Sequence, residues 1–547
     1  MNSLYPGFEE LYHQVNSLKG EIPPSGGSER ILIWRGPNLM KLGLAIETAL
    51  GLALSLRGAE VGMVYCDGSL SGCVLRSVKQ PKPVSEWHKI CPKCSLTGKA
   101  IFSAAGLGVI EYGSYLTPSD ILHFRKLINQ VSTSEYFNFR WENVRVGALA
   151  LSATHRYYLG CNPEQANEAD QIKREYLFSA LVSTLVSKRI IEHIRPTRII
   201  MLHGTYVEWG PIFDLAIKAG IPVTRYMVGY ERDTLYFKTA TSADTRHLYK
   251  LNPETEAEVN AMPFDDNEYN DIARYMQNRQ QGKRERVNLF KQERQDPASL
   301  KIGFGFDKDQ PLWCIFPHLS YDSVFFTDSN MFPTHTEWML QVLKTISVTS
   351  DINWLIKIHP AERVHGVVTR TEDMIKEYLP ELPGHIRIIP SDSDINPYDL
   401  MQVIDGGVTN YGTVGLELTT LGKPVIISGL AHYANKGFTH EAATPEEYLA
   451  LIKRASSFGP LSDEQVRLAF KYAHLFMLRR QIPFQLVKQD DGDIRLAFDA
   501  LEDIKPGNIP ILDFLCERIL TGGEFILNRE LTEIAVQRFI KEEFSEV

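Results

Sequence analysis

The sequence predicts an α/β protein with two consecutive doubly wound domains and a helical C-terminal tail. Three observations predict it. Short apolar runs recur along the chain, each ending in Gly, Pro, Asn or Asp and most followed by residues at helical spacing, which is how parallel sheets are written. That pattern stops near Asn252 and starts afresh at Leu312. The chain also has 547 residues, room for two or three domains at roughly 100–200 residues each.

The first domain opens with the run Ile31-Leu32-Ile33-Trp34, which meets the turn Arg35-Gly36-Pro37-Asn38. Helical spacing follows to about Gly58, then a second run, Val61 to Tyr65, ends in Cys66-Asp67-Gly68. A long helical stretch covers Glu164 to Ile194 and stops before Pro196, which cannot continue a helix. Arg198 to Leu202 reads as a strand ending in His203-Gly204; Trp209 to Lys218 reads as a helix and Ile221 to Tyr226 as the next strand. From Asn252 to Gln295 apolar residues thin out, and this charged, helix-prone segment reads as a connector. The second domain places strands at Leu312–Pro317, Trp354–Pro360, Ile386–Pro390, Val403–Asp405 and Pro424–Ser428, and the chain after Thr444 reads as mostly helical. The expected boundaries are 1–250, with a cysteine-rich insert at 66–94, then 251–305 for the connector, 306–460, and a tail at 461–547.

Composition narrows the function classes. Hydrophobic residues are 44% and charged residues 23%, a globular balance. Lys and Arg total 58 against 67 Asp and Glu, a net charge of −9, whereas nucleic-acid binders carry a basic excess. Met1 to Ser28 is polar and carries Glu9 and Glu10 where a secretory signal would be apolar. The greasiest stretch, Leu42 to Tyr65, is broken by Glu47, Arg57 and Glu60, so it reads as helix plus strand and not as a membrane span. An odd seven cysteines without an export signal fit a reducing, cytoplasmic setting.

The sharpest motif is Val408 to Glu417, closed by Leu421-Gly422-Lys423-Pro424-Val425. A Thr/Gly turn entering a helix offers backbone N–H groups and hydroxyls to a phosphate, and Glu417 one turn on offers a carboxylate to ribose hydroxyls. Lys357-Ile358-His359-Pro360 leaves an imidazole at a strand's carboxyl edge, where ligands of such sheets bind. His318 and Ser320 follow the first strand of the second domain and are candidates to line the same site.

His359-Pro360, the Thr409–Glu417 turn and Leu430-Ala431-His432-Tyr433-Ala434-Asn435-Lys436-Gly437-Phe438-Thr439 resemble the C-terminal half of bacterial capsule polysaccharide biosynthesis proteins. The resemblance is strongest over Trp313 to Leu451. It implies a GT-B-type glycosyltransferase, two Rossmann-like domains facing a cleft, acting in surface polysaccharide synthesis with a nucleotide-sugar donor such as a CMP-activated ulosonic acid. On that basis Gly412, Thr413 and Glu417 hold the donor's phosphate and ribose, His359 makes a charge-assisted contact, and Lys436 reaches phosphate. Catalysis would need no divalent metal, because helix dipole and side chains neutralise the leaving group. The acceptor, a glycan or lipid-linked glycan, would be activated by a base of the first domain, Glu208 foremost, then Asp67 and His203, with Glu231 as a further candidate; Asp322 is the fallback in the second domain.

Two more signals stand apart. Cys66, Cys73, Cys91 and Cys94 have spacing compatible with a structural zinc site, against four unrelated thiols or a redox Cys-x-x-Cys. Cys161, Cys314 and Cys516 read as core. The basic run Lys283 to Arg294 is a candidate for peripheral contact with anionic lipid at the inner membrane face, its alternative being a solvated helix face. The rival functions are a non-hydrolysing sugar-nucleotide epimerase and a non-catalytic nucleotide- or glycan-binding subunit.

Overall fold

A computed structural model describes residues 4–23, 26–80, 82–160, 168–242, 247–283, 285–286, 293–322, 331–428, 431–490 and 493–545. Cys161, Leu430 and most of the basic run beyond Lys283 lie outside those residues. The chain forms two compact units. The first comprises Met1–Tyr157, Asn167–Met262 and Arg479–Val547; the second comprises Tyr158–Ala166 and Pro263–Leu478.

In the first unit, strands β1 (Arg30–Gly36), β2 (Glu60–Tyr65), β3 (Gly108–Glu111), β4 (Arg198–Leu202) and β5 (Val223–Val228) pair in parallel, in the order β3-β2-β1-β4-β5. β1 is buried from Ile31 to Gly36, as expected of a central parallel strand covered on both faces. An antiparallel β6 (Thr234–Ala240), absent from the sequence reading, extends the sheet, and β13 (Ile482–Pro483) closes that edge.

The second unit is a wholly parallel sheet: β7 (Leu312–Phe316), β8 (Asn353–Lys357), β9 (Ile386–Ile389), β10 (Gly406–Thr409), β11 (Val425–Ile427) and β12 (His440–Glu441), in the order β9-β8-β7-β10-β11-β12. Counted within the unit this is the 3-2-1-4-5-6 order of a dinucleotide-binding fold, whose strand order reverses between β7 and β10. Its core gathers Trp313, Trp338 and Trp354 with Ile315, Ile356, Val408 and Ile426. Both units are therefore Rossmann-like.

Three expectations change. The strand placed at Val403–Asp405 is Gly406–Thr409 instead, because Pro397–Val403 is a helix started by the Asn396 side chain. The connector does not stand apart: helix Asp266–Gln280 belongs to the second unit, burying Ile272, Met276 and Arg279 on one face. The tail is not uniformly helical either. β13, β14 (Val487–Asp490) and β15 (Asp493–Leu496) interrupt it, and Ile482, Phe484, Ile511 and Leu515 bury themselves in the first unit's core. Among the described residues no helix is long and apolar enough to cross a membrane.

Candidate functional site

The strand-order reversal of the second sheet carries an imidazole–phenol cluster. β7 ends at Phe316, two residues before His318. β10 ends at Thr409, immediately before Asn410 and Tyr411. His335 begins helix His335–Ile346, whose N-cap Thr334 accepts the Glu337 N–H. The rings of His318 and His335 stack with centroids 4.7 Å apart, and Tyr411 lies 4.7 Å from His318 and 5.4 Å from His335.

Hydrogen bonds fix what each group offers. The Ser428 hydroxyl bonds to Asn410 Oδ1, so the Asn410 amide nitrogen turns to His335 Nδ1 at 3.4 Å. His335 Nε2 lies 3.2 Å from the Asp322 carbonyl, which only accepts, so this nitrogen carries the proton; it also meets the Tyr411 hydroxyl at 2.9 Å. By the same logic His318 donates from Nδ1 to the Leu319 carbonyl at 3.3 Å. His359, following β8, accepts the Ala361 N–H at Nδ1 (3.1 Å), so its neutral ring is a donor at Nε2. Burial, with the positive charge of Lys357 adding to it, holds His359 down at about 4. His359 is thus neutral at pH 7, so in the charge-assisted contact expected of it the charge would be the phosphate's and the ring an N–H donor.

The turn itself is locked from above. The Tyr433 hydroxyl donates to the Gly412 carbonyl at 2.6 Å, and Gly415 N–H reaches the same carbonyl at 3.1 Å. A Cβ on Gly415 would stand 2.2 Å from that hydroxyl, so only glycine lets Tyr433 reach the turn. Thr413 precedes helix Val414–Thr420 as its N-cap without a side-chain cap bond.

Glu417 is not on a solvated face. It is buried, and Oε1 receives Arg279 Nε at 3.3 Å and Nη2 at 3.2 Å, a guanidinium that also pairs with Glu285. Burial raises Glu285 to about 7. Ser320 is buried, and Lys436 lies 6.0 Å over the Tyr472 ring. The structure therefore brings His318, His359 and the Gly412–Thr413 turn to the carboxyl edge, gives Glu417 a cationic partner, and sets Lys436 against an aromatic face.

The reading of the sequence missed His335, Asn410 and Arg279. His335 had a legible signal, since a capped helix start after the first strand of such a sheet faces the ligand edge. Arg279 had none, because its partner lies 138 positions away.

In the first unit the three base candidates separate. Glu208 is fully buried; Oε1 accepts the Val74 N–H, Oε2 has no hydrogen-bond partner among the described residues, and burial pushes the carboxyl up to about 7. This corrects the expectation that it points outward: the reciprocal bonds of Trp34 Nε1 to the Glu208 carbonyl and Trp209 Nε1 to the Trp34 carbonyl, 3.1 Å each, pull that helix turn onto β1. His203 accepts the Thr205 N–H at Nδ1 (3.1 Å), so its neutral ring, like that of His359, is a donor at Nε2. Asp67 is half-buried, with Oδ2 accepting the Gly113 N–H at 3.0 Å and Oδ1 the Ser69 hydroxyl at 2.5 Å. Glu231 is buried. The carbonyl of Asp322 serves His335.

Sulfur acceptors cluster in the insert. Cys66 Sγ receives the Gly68 N–H at 3.4 Å, Cys94 Sγ the Asn38 N–H at 3.2 Å, and Cys91 Sγ the Arg76 guanidinium at 3.3 Å. Burial pushes the Cys73 thiol up to about 12. Among the described residues, no group of three or more His, Cys, Asp or Glu side chains is placed to hold a metal ion.

Residues 265–459, roughly a third of the chain, match the family described as Capsule polysaccharide biosynthesis protein, so the resemblance read from the motifs holds over that segment. No curated protein matches. Among solved structures, the KpsC beta Kdo 2,4 transferase of Thermosulfurimonas dismutans is 16% identical, covering 57% of this chain and 87% of its own at a TM-score of 0.34. A UDP-GlcNAc 2-epimerase from Neisseria meningitidis is 10% identical, covering 81% and 97%, with a TM-score of 0.24. The Streptomyces sp. SF2575 glycosyltransferase SsfS6 is 12% identical, covering 82% and 95%, with a TM-score of 0.22. At these scores the three structures carry no functional argument.

Proposed function

We propose that the chain is a glycosyltransferase of surface polysaccharide synthesis that moves a sugar from a nucleotide donor, a CMP-activated ulosonic acid foremost, to a glycan acceptor. The observation that carries this reading is that the capsule-family match, 265–459, contains every member of the second unit's edge cluster: His318, His335, His359, Tyr411, Gly412, Thr413 and Glu417. In this reading His359 donates from Nε2 to the donor's phosphate, and His318 lines the same site. The Gly412–Thr413 turn supplies further backbone donors. Glu417, steadied by Arg279, reaches the ribose. Leaving-group charge is met by these donors, without a metal being assigned. The base for the acceptor hydroxyl is Asp67: of the first unit's candidates it alone combines a half-buried position with a carboxylate oriented at both oxygens.

The test is nucleotide binding followed by transfer. CMP, CDP, UDP, GDP and ADP are compared by thermal shift, where a ligand at a hundredfold excess over Kd adds about 2.7 kcal/mol. His359→Ala removes an N–H donor to an anionic phosphate and should weaken the preferred nucleotide by about 1.5–3 kcal/mol, some 10- to 150-fold. Asp67→Asn should keep that affinity and lose about 10²–10⁴-fold in transfer rate. Unchanged binding in His359→Ala sinks the site. Epimerisation of a nucleotide sugar without acceptor replaces the transferase with an epimerase, and tight binding without turnover leaves a binding subunit.

A further inference from the structure

The cysteine insert contains a second kind of chemistry. Helix Cys91–Ala104 lies between β2 and β3, which pair in parallel, so it is the crossover helix of a β–α–β unit. Its first turn is Cys91-Pro92-Lys93-Cys94. A Cys-x-x-Cys opening such a helix is the arrangement that thiol–disulfide exchange proteins use. In the sequence alone the Cys-x-x-Cys stands without the strand Gly108–Glu111 that completes the unit.

The two thiols differ as an exchange pair requires. Cys91 is partly exposed and Cys94 is buried. Arg76 donates to Cys91 Sγ at 3.3 Å while stacking near Trp87, its guanidinium 5.8 Å from the ring. A guanidinium and the first turn of a 14-residue helix thus face the negative charge that an attacking sulfur carries. Cys94, held by the Asn38 N–H, is kept as a thiol by burial. Residues three apart in an α-helix have Cα atoms about 5 Å apart, inside the disulfide range of about 4.4–6.8 Å. No three thiols of the insert are placed to share an ion, which favours pairwise chemistry over the zinc expected from spacing.

We propose that Cys91 and Cys94 form a redox-active dithiol that exchanges with small-molecule or protein disulfides, Cys91 attacking and Cys94 resolving. The Cys91 thiolate attacks one sulfur of R–S–S–R; the Cys91–S–S–R bond forms, and RS⁻ leaves to take up the proton that Cys91 gave up. Cys94 then gives up its proton and attacks the Cys91 sulfur, the Cys91–Cys94 bond forms, and the second RS⁻ leaves and takes up that proton. Two protein thiols are oxidised and one external disulfide is reduced to two thiols. Arg76 acts as a positioning residue.

The probe is oxidised glutathione, applied in ratio series with reduced glutathione to the full chain, with alkylation and peptide mass spectrometry. The expected product is an internal bond joining the peptides that carry Cys91 and Cys94, reversed by dithiothreitol. Cys94→Ser should accumulate glutathione on Cys91, and Cys91→Ser should show neither species. Arg76→Gln should slow formation while circular dichroism and the melting temperature stay as in the parent. Cys66→Ser and Cys73→Ser, if folded, should still form the bond. Thiols that stay reduced across the series overturn the proposal. So does a bond between other cysteines, or one zinc per purified chain released only when all four thiols are blocked.

Discussion

The two sheets share the order 3-2-1-4-5 and differ at the edge where that order reverses. In the first unit the edge is filled with enclosed charge. Arg35 and Glu47, both with no exposed area, pair at 3.0 Å, and the Tyr226 hydroxyl donates to Glu47 at 2.7 Å. Glu208, in the first turn of the helix Tyr206–Lys218 that follows β4, is likewise fully buried. In the second unit the same edge holds His318, His359 and Tyr411, each partly buried, around the buried His335, with hydrogen bonds that orient each ring. One device recurs in both: His203 with Thr205 and His359 with Ala361 each surrender Nδ1 to the N–H two residues on. Topology thus sets where a site can be, and burial decides which edge meets a ligand.

The sharpest way to break this contrast is to open the buried pair. Arg35→Met leaves Glu47 charged and alone, which should cost about 3–5 kcal/mol, read as a lower urea midpoint. Nucleotide affinity of the second unit should stay unchanged; a matching loss of affinity would mean that the first edge is part of the donor site.

A pH series separates the edges further. Glu208 titrates near 7 when folded and at 4.5 in its ordinary state, so its share of stability is present at low pH and lost as pH rises through that window. Glu208→Gln removes this loss, and the variant should gain on the parent between pH 4.5 and 7 by on the order of 3 kcal/mol. His359 has the opposite sign. Its folded value of about 4 lies below the ordinary 6.5, so stability is lost as pH falls from 6.5 toward 4, and His359→Gln should blunt that loss. Denaturant midpoints of parent and variants from pH 4 to 8 read both slopes; parallel curves would refute the assignment.

A smaller effect sharpens the second edge alone. Gly415→Ala forces a Cβ against the Tyr433 hydroxyl and should cost about 1–3 kcal/mol as overpacking, together with weaker nucleotide binding. Tyr433→Phe in that background removes the clashing oxygen but leaves Cζ 2.9 Å from the new Cβ, so it should recover part of the stability without restoring the bond to the Gly412 carbonyl, and affinity should stay reduced.

The sequence by itself determined the two parallel sheets, their central strands, and the Gly412–Glu417 turn with His359. Those features are local: apolar runs, glycine turns and helix starts are written in neighbouring residues. It also showed four thiols in one insert, without saying how they pair. Only the tertiary structure decided which of the polar residues at strand ends are enclosed. Glu208 and Asp67 look equivalent in a linear reading, and they separate only because Trp34 and Trp209 draw one of them under β1. The proton positions on His318, His335 and His359 follow from carbonyls and amides that the fold brings to each ring. Arg279 meets Glu417 across 138 residues, and the chain after Arg479 returns to the first unit to finish its core. Long-range burial and hydrogen bonding have no local sequence signature, because their free energy depends on partners that the order of the chain does not name.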